Sequence, residues 1–111
     1  MPPLEMLRRK ADFDAVGRNG TVRSSRLLVL RSVRREGPGT RIGLSTPRTL
    51  GGAVQRNRVR RRLRDLLRGQ LDAKGPGWDL LLIARPDAGS ATYAELREAL
   101  RSLLERSGIG G

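Results

Sequence analysis

The sequence contains no cysteine and no histidine. Disulfide bonds, zinc sites built from these residues and catalysis by a histidine general base are therefore excluded. Aromatic residues are scarce, with one Trp, one Tyr and one Phe. The longest uninterrupted apolar run, Leu80 to Ala84, is far too short to span a bilayer. The segment Met1–Lys10 has no long apolar core, so we expect no secretory signal, no membrane partner and a cytoplasmic protein.

Positive charge is what the chain has in abundance. Its 23 Lys and Arg residues against 11 Asp and Glu leave a net charge of +12. The charge is unevenly placed, because residues 1–47 carry +6, residues 48–68 carry +7 and residues 69–111 carry −1. A polyanionic partner is the first expectation, since arginines that neutralise phosphates release bound counterions. The last third of the chain is expected to serve as scaffold.

The segment from Gly51 to Arg68 places much of this charge on a regular spacing. Its apolar residues recur at i, i+4, i+7 and i+8, as in a helix with one face on a core. They are Val59, Leu63, Leu66, Leu67 and Leu71. On the far side, at ~100° per residue, lie Arg58, Arg61, Arg62, Arg64 and Arg68. Arg60 falls at the border and Arg56 on the apolar side, so Arg56 can stay solvated only if the first turn extends beyond the core.

The residues before this helix predict one short helix and two strands. A helix is predicted over Leu7–Val16, where apolar residues recur at near-helical spacing, with its end at Gly17 or Gly20. Leu27–Val33 and Arg41–Ser45 have the apolar runs and alternation of strands. Because Glu36–Gly39 supplies a turn between them, we predict that the two strands pair as an antiparallel hairpin.

The residues after the basic helix predict a strand and a final helix. Trp78–Arg85 is apolar on both alternating faces, which is typical of a central strand covered on each side. A strand, helix, strand order predicts a crossover between parallel strands. Thr92 and Glu95 have capping-box spacing before a helix that ends at Gly108. Its apolar face is Tyr93, Leu96, Leu100, Leu103 and Leu104. We predict a single α+β domain over residues 1–111.

Three motifs in this order resemble the protein subunit of bacterial ribonuclease P. They are Gly43-Leu44-Ser45, then Gly51-Gly52-Ala53-Val54-Gln55-Arg56-Asn57-Arg58-Val59-Arg60-Arg61, then Asp79-Leu80-Leu81-Leu82-Ile83-Ala84-Arg85-Pro86. The resemblance implies a small four-stranded sheet packed with three helices, in the order α-β-β-β-α-β-α. It also implies an unusual left-handed βαβ crossover, as in a domain of a small-subunit ribosomal protein. Such a sheet needs one more short strand, for which Thr21-Val22-Arg23 is the candidate.

The resemblance also implies a division of labour between protein and RNA. In the family a large RNA removes the 5′ leader from precursor tRNA with bound Mg²⁺, and the protein docks on that RNA and holds the leader. We therefore expect an endoribonuclease subunit that is itself non-catalytic, one copy per holoenzyme, with no metal or cofactor on the protein. The residues agree, because the carboxylates are scattered without metal-site spacing. We expect three of them, Asp65, Asp79 and Asp87, to be caps or solvated charges.

The matching positions assign residues to two RNA-binding sites. Contacts to the catalytic RNA are expected from Arg48, Arg56, Asn57, Arg58, Arg60, Arg61, Arg62, Arg64 and Arg68. The leader-binding cleft is expected to contain Phe13, Val16, Leu28, Leu30 and Arg31, where unpaired bases stack on apolar groups. For the apolar members of the cleft the alternative is an ordinary place in the core.

Four positions depart from the family pattern, one of them Thr49, where a second Lys is usual after Arg48. Gly17 and Arg31 stand where aromatic residues are common, so we expect leader binding with less stacking and more charge. Gly52 stands where an Asn is usual and would cap the helix.

Two other functions are compatible with the composition. One is a basic ribosomal or nucleoid-type protein that binds nucleic acid by charge alone, which would not need the Arg56-Asn57-Arg58 motif. The other is a nuclease that acts without an RNA subunit, which the lack of His and of paired carboxylates disfavours.

Overall fold

The computed structural model describes residues 5–6, 15–16, 18, 20–71 and 76–109. The strands are β1 (Glu5–Met6), β2 (Thr21–Ser24), β3 (Leu28–Pro38), β4 (Arg41–Ser45) and β5 (Pro76–Ala84). The helices are α1 (Ala53–Gln70) and α2 (Tyr93–Arg106), with 3₁₀ turns at Arg48–Leu50 and Pro86–Ser90. Ala15, Val16 and Arg18 are helical, as predicted for the end of the first helix. The rest of that predicted helix, including Phe13, lies outside the described residues.

The strands form one mixed sheet in the order β1-β4-β5-β3-β2. β4 and β5 are parallel, with Ile42 opposite Leu80 and Leu44 opposite Leu82. β5 is antiparallel to β3 on its other side. The prediction of a parallel crossover through the basic helix is therefore confirmed, and so is the central position of β5.

The predicted hairpin of β3 and β4 is wrong. The chain does reverse near Gly39, which has a φ of +93°, but β5 lies between the two strands. The reason is that β5 is the most apolar strand and has buried residues on both faces. On the sheet edge it would expose those residues and leave half of its backbone groups unpaired.

The edges of the sheet are short strands. The expected strand at Thr21-Val22-Arg23 is confirmed as β2, which pairs antiparallel to β3. β1 adds a two-residue parallel pairing to β4 that the sequence did not predict. The strands β2 to β5 are the four strands that the sequence predicted.

The two faces of the sheet pack differently, because residues alternate along each strand. On one face the strand residues share a large core with α1 and α2. Its fully buried members include Leu28, Leu30, Ile42, Leu63, Leu67, Leu80, Leu82, Leu96, Leu100 and Leu103. On the opposite face a small cluster joins Val16 and Leu81 to the partly buried Val33 and Ile83.

Helix α2 begins with the predicted capping box. The backbone N–H of Glu95 donates to Thr92 Oγ1 at 3.1 Å, and the N–H of Thr92 donates to Glu95 Oε1 at 2.9 Å. The hydrogen bond from the Thr92 backbone N–H to the Glu95 carboxylate, together with one from the Thr92 side chain, lowers the pKa of Glu95. Gly108, with a φ of +73°, ends the helix as predicted. Tyr93 does not belong to the apolar face, because it sits in the first turn and is 41% exposed.

Truncation of the α1 apolar stripe tests the importance of this packing. Leu63 is fully buried, so Leu63→Ala should lower the free energy of unfolding by about 2–5 kcal/mol. Val54 lies on the same helix and is 84% exposed, so Val54→Ala is the control and should change stability by less than about 0.5 kcal/mol. Urea unfolding followed by circular dichroism measures both, and equal effects would contradict the packing described.

Candidate nucleic-acid interface

Helix α1 presents its arginines on the side opposite its buried stripe. Val59, Leu63, Leu66 and Leu67 are buried within the helix, and Leu71 is buried just after it, as predicted. The exposed side carries Asn57, Arg58, Arg61, Arg64 and Arg68. Arg60 and Arg62 are half-buried at the borders. Arg48 is exposed in the 3₁₀ turn before the helix.

One border of α1 is fixed to the loop that follows β4. Arg56 Nε donates to the Thr46 carbonyl at 2.8 Å. Arg60 Nη2 donates to Thr46 Oγ1 at 2.6 Å, and Arg60 Nη1 donates to Asn57 Oδ1 at 3.0 Å. Arg56, which the spacing places on the apolar side, is thus half-buried, and its guanidinium donates to a backbone carbonyl at the edge of the core.

The other border is fixed to the turn before α2. Gln55 Nε2 donates to the Gly89 carbonyl at 2.9 Å, and Arg58 Nη2 reaches the same oxygen at 3.4 Å. One turn further along, Arg62 Nη1 donates to the Ala91 carbonyl at 3.3 Å. Side chains on both borders thus hold α1 at a fixed rotation about its axis.

The arginines between these borders remain available for a ligand. Arg61, Arg64 and Arg68 make no hydrogen bond or ion pair with the described part of the chain. Arg61 and Arg64 line a recess of about 270 Å³ together with Asn57 and Arg60. Because guanidinium groups present planar forks of N–H donors, this recess suits a phosphate or the edge of an unpaired base.

The start of α1 is built without a side-chain cap. Gly52 is the N-cap residue, and no side chain caps the helix there. The Asn that is usual in the family at this position would supply such a cap. Gly51 has a φ of +133°, and a Cβ at this position would overlap the side chain of Gln55. Glycine at 51 therefore allows Gln55 to reach Gly89.

The predicted leader-binding cleft is only partly brought together. Val16 is buried against Leu81, and Arg31 lies on the same face of the sheet because it is opposite Leu81 in the β3–β5 register. Leu28 and Leu30 do not line this face. Both are 0% exposed in the core under α1 and α2. Their assignment to the cleft is corrected, because alternation along β3 turns them to the side opposite Arg31.

A bidentate ion pair on this same face was missed by the sequence analysis. Arg41 Nε and Nη2 donate to Asp79 Oδ1 and Oδ2, each at 2.8 Å. The two side chains are 25% and 16% exposed. The expectation that Asp79 is a cap or a solvated charge is therefore wrong. The partners belong to β4 and β5, so only the parallel register of the sheet could have revealed the pair.

The other described carboxylates are dispersed. Asp87 lies 3.4 Å from Arg26 in an exposed ion pair, and Asp65 is exposed on α1. Across residues 20–71 and 76–109 and the few described before them, no three carboxylates converge on one point. In the same parts of the chain, no helix has the length and hydropathy to cross a membrane.

A family model described as Ribonuclease P matches residues 1–108. The chain belongs to the ribonuclease P protein family. The ribonuclease P protein component of Streptomyces avermitilis is 38% identical over 120 aligned positions, which cover 100% of this chain and 98% of that protein. The component of Clostridioides difficile is 31% identical over 104 positions, covering 93% and 91%. The expected function, a protein subunit of ribonuclease P that partners its RNA in tRNA processing, is thereby confirmed over a general basic nucleic-acid-binding protein.

Solved ribonuclease P proteins share the fold. The protein of Staphylococcus aureus superposes with a TM-score of 0.85 at 24% identity, over 96% of this chain and 97% of that one. The protein of Thermotoga maritima superposes with a TM-score of 0.79 at 26% identity, over 92% and 96%. The α+β fold expected from the resemblance is confirmed.

Charge removal from the half-buried pair of Arg41 and Asp79 should destabilise the fold. Asp79→Asn removes the negative charge that accepts both hydrogen bonds from Arg41, so the free energy of unfolding should fall by about 1–3 kcal/mol. The control is Asp87→Asn, which breaks an exposed pair and should cost less than about 1 kcal/mol. Urea unfolding at neutral pH measures both variants. A loss for Asp79→Asn no larger than that of the control would show that the pair contributes little.

Proposed function

We propose that this subunit docks on the catalytic RNA of ribonuclease P through α1 and holds the 5′ leader of precursor tRNA on the sheet face that carries Val16 and Arg31. The RNA, with Mg²⁺ that it binds, carries out hydrolysis of the phosphodiester bond. The observation that carries the proposal is the exposed guanidinium row of α1, held in place along both of its borders.

Docking by α1 follows from how its arginines are held. Arg56, Arg58, Arg60 and Arg62 donate to groups of the protein, which fixes the helix and part of its charge. Arg61 and Arg64 project between them and keep all of their donors for a ligand. A rigid donor array loses little conformational entropy on binding, so it favours a folded partner whose phosphates have fixed positions.

Catalysis by the RNA is supported by the side chains that the protein has. The chain has no histidine or cysteine to act as general base or nucleophile. Asp79 and Asp87 are paired with arginines, and Asp65 stands alone on α1. The side chains of this protein can therefore bind and position RNA, while the RNA subunit supplies the catalysis.

Leader binding is supported by the exposed part of the opposite sheet face. Arg31 is half-buried and lies opposite Leu81 of the small apolar cluster in the β3–β5 register, so a cation and apolar side chains share this face of the sheet. A single-stranded leader presents both phosphates and unstacked bases, which match these two kinds of surface. One copy of the subunit in each cytoplasmic ribonucleoprotein is sufficient for both contacts.

Reconstitution tests the function as a whole. The chain, added to a bacterial ribonuclease P RNA at low Mg²⁺, should increase cleavage of precursor tRNA at the 5′ end of the mature sequence. The chain alone should leave precursor tRNA intact. An RNA whose low-Mg²⁺ activity is unaffected by the chain, or cleavage by the chain alone, would refute the proposal.

Charge removal from the recess of α1 tests the docking surface. Arg61→Gln combined with Arg64→Gln should weaken binding to ribonuclease P RNA and lower the slope of log K against log [salt] by about 1.5. The matched control is Arg97→Gln combined with Arg101→Gln, which removes the same charge from exposed positions on α2. Filter binding across a salt series gives both slopes, and equal slopes for the two variants would place the docking surface elsewhere.

Substitution of Arg31 by the aromatic residue common in the family tests the leader site. Arg31→Tyr should reduce the salt dependence of precursor tRNA binding by the holoenzyme, because a phosphate contact is exchanged for base stacking. The measurement compares precursor tRNA with and without its leader. The reduced salt dependence should appear only with precursor tRNA that carries its leader. Equal salt slopes for the wild-type protein and Arg31→Tyr would contradict a phosphate contact at Arg31.

A further inference from the structure

A rigid turn joins β2 to β3 at the end of the sheet where β5 also ends. The N–H of Ser25 donates to the Leu28 carbonyl at 2.8 Å. Ser25 Oγ accepts hydrogen bonds from the N–H groups of Leu27 and Leu28 at 3.3 and 3.2 Å. The N–H of Arg85 donates to the Leu27 carbonyl at 2.9 Å, which ties the end of β5 to the same turn.

Two guanidinium groups donate to the carbonyls of adjacent residues, Ser24 and Ser25, at this turn. Arg106 Nη2, from the last turn of α2, donates to the Ser24 carbonyl at 2.8 Å. Arg85 Nη1, just after β5, donates to the Ser25 carbonyl at 3.2 Å. The carbonyl groups of Ser24 and Ser25 thus accept hydrogen bonds from two guanidinium groups that come from distant parts of the chain. Each guanidinium has five N–H donors, so most of the donors of both remain available.

The surrounding carboxylates do not neutralise these two cations. Asp87 and Glu95 lie 3.4 and 3.6 Å from Arg26, the next residue of the turn. Arg85 and Arg106 have no carboxylate partner within the described residues, and exposed Arg23 is bonded only to the carbonyl of Val22. Two like charges on adjacent carbonyls repel each other. A bound anion would relieve that repulsion.

We propose that Arg85 and Arg106, with Arg23 beside them, form a second RNA-binding site that takes the phosphodiester backbone. The anchored guanidiniums suit phosphate because each keeps a fork of donors in a fixed position. No base pocket accompanies them, so the site binds independently of sequence.

The position of this second site lets it act together with α1. The turn Pro86–Ser90 lies between them, because Arg58 bonds to Gly89 of this turn and Arg26 pairs with Asp87 of the same turn. An RNA on α1 can therefore continue over the turn, and a second segment can bind beyond it. The proposal rests on the RNA partnership of the subunit and not on its leader-binding role.

A purely structural role for Arg85 and Arg106 would give a different experimental result from phosphate binding. If Arg85 and Arg106 only hold the turn in place, their loss lowers the melting temperature and leaves the electrostatics of RNA binding unchanged. If they bind phosphate, the salt dependence of RNA affinity falls as well. The salt slope therefore separates the two roles.

The experiment compares Arg85→Gln combined with Arg106→Gln against the control pair Arg97→Gln and Arg101→Gln. Both double variants lose two charges, and the amide group of glutamine keeps N–H donors for the turn. A third variant, Arg85→Lys combined with Arg106→Lys, keeps both positive charges and should keep the wild-type slope. One arm measures binding of each protein to ribonuclease P RNA across a salt series. The other measures binding of precursor tRNA, with and without its leader, to the reconstituted holoenzyme.

We expect the Arg85 and Arg106 glutamine variant to lower the salt slope by about 1.5 relative to the control pair. A fall in the first arm assigns the site to ribonuclease P RNA, and a fall confined to the second arm assigns it to precursor tRNA. Slopes equal to the control in both arms would overturn this site while leaving the proposed function standing. A wild-type chain that failed to bind ribonuclease P RNA would overturn both.

Discussion

The burial of one apolar stripe on α1 decides how each arginine of that helix is used. Leu63 and Leu67 share a core with the central strand, so the helix cannot rotate without exposing them. Arginines at the border reach carbonyls of neighbouring loops, and those opposite the stripe face solvent. The exposed guanidinium row that we propose as the RNA-docking surface thus arises from the same packing that stabilises the sheet.

The acidic residues form ion pairs with some of the arginines and not with others. On α2, Glu98 and Glu105 hold Arg101 between them at 2.6 Å each, and these contacts raise the pKa of Arg101. Arg26 is similarly held by Asp87 and Glu95. On α1 the only carboxylate is Asp65, and none of the helix's arginines is paired with it. Among the described residues, arginines without a carboxylate partner therefore lie along α1 and at the turn bound by Arg85 and Arg106.

The sequence predicts what depends on local periodicity. The stripe of α1, the capping box at Thr92 and the central strand β5 all follow from spacings of a few residues, and all are found. The wrong hairpin, the Arg41–Asp79 pair and the burial of Leu28 depend on which strands become neighbours. Alternation shows that Leu28 and Arg31 face opposite sides, but it does not show which side the helices cover.

The insertion of β5 between β3 and β4 has a consequence for how the chain reaches its native state. The two strands that are consecutive in sequence have no direct pairing, and the strand that joins them begins only at Pro76, after all of α1. Closure of such a long loop must precede most of the stabilising contacts, which makes folding slow compared with a simple meander. During synthesis on the ribosome, the basic segment emerges before the strand that completes its platform, so nascent chains display their arginines to cellular RNA before the sheet is assembled.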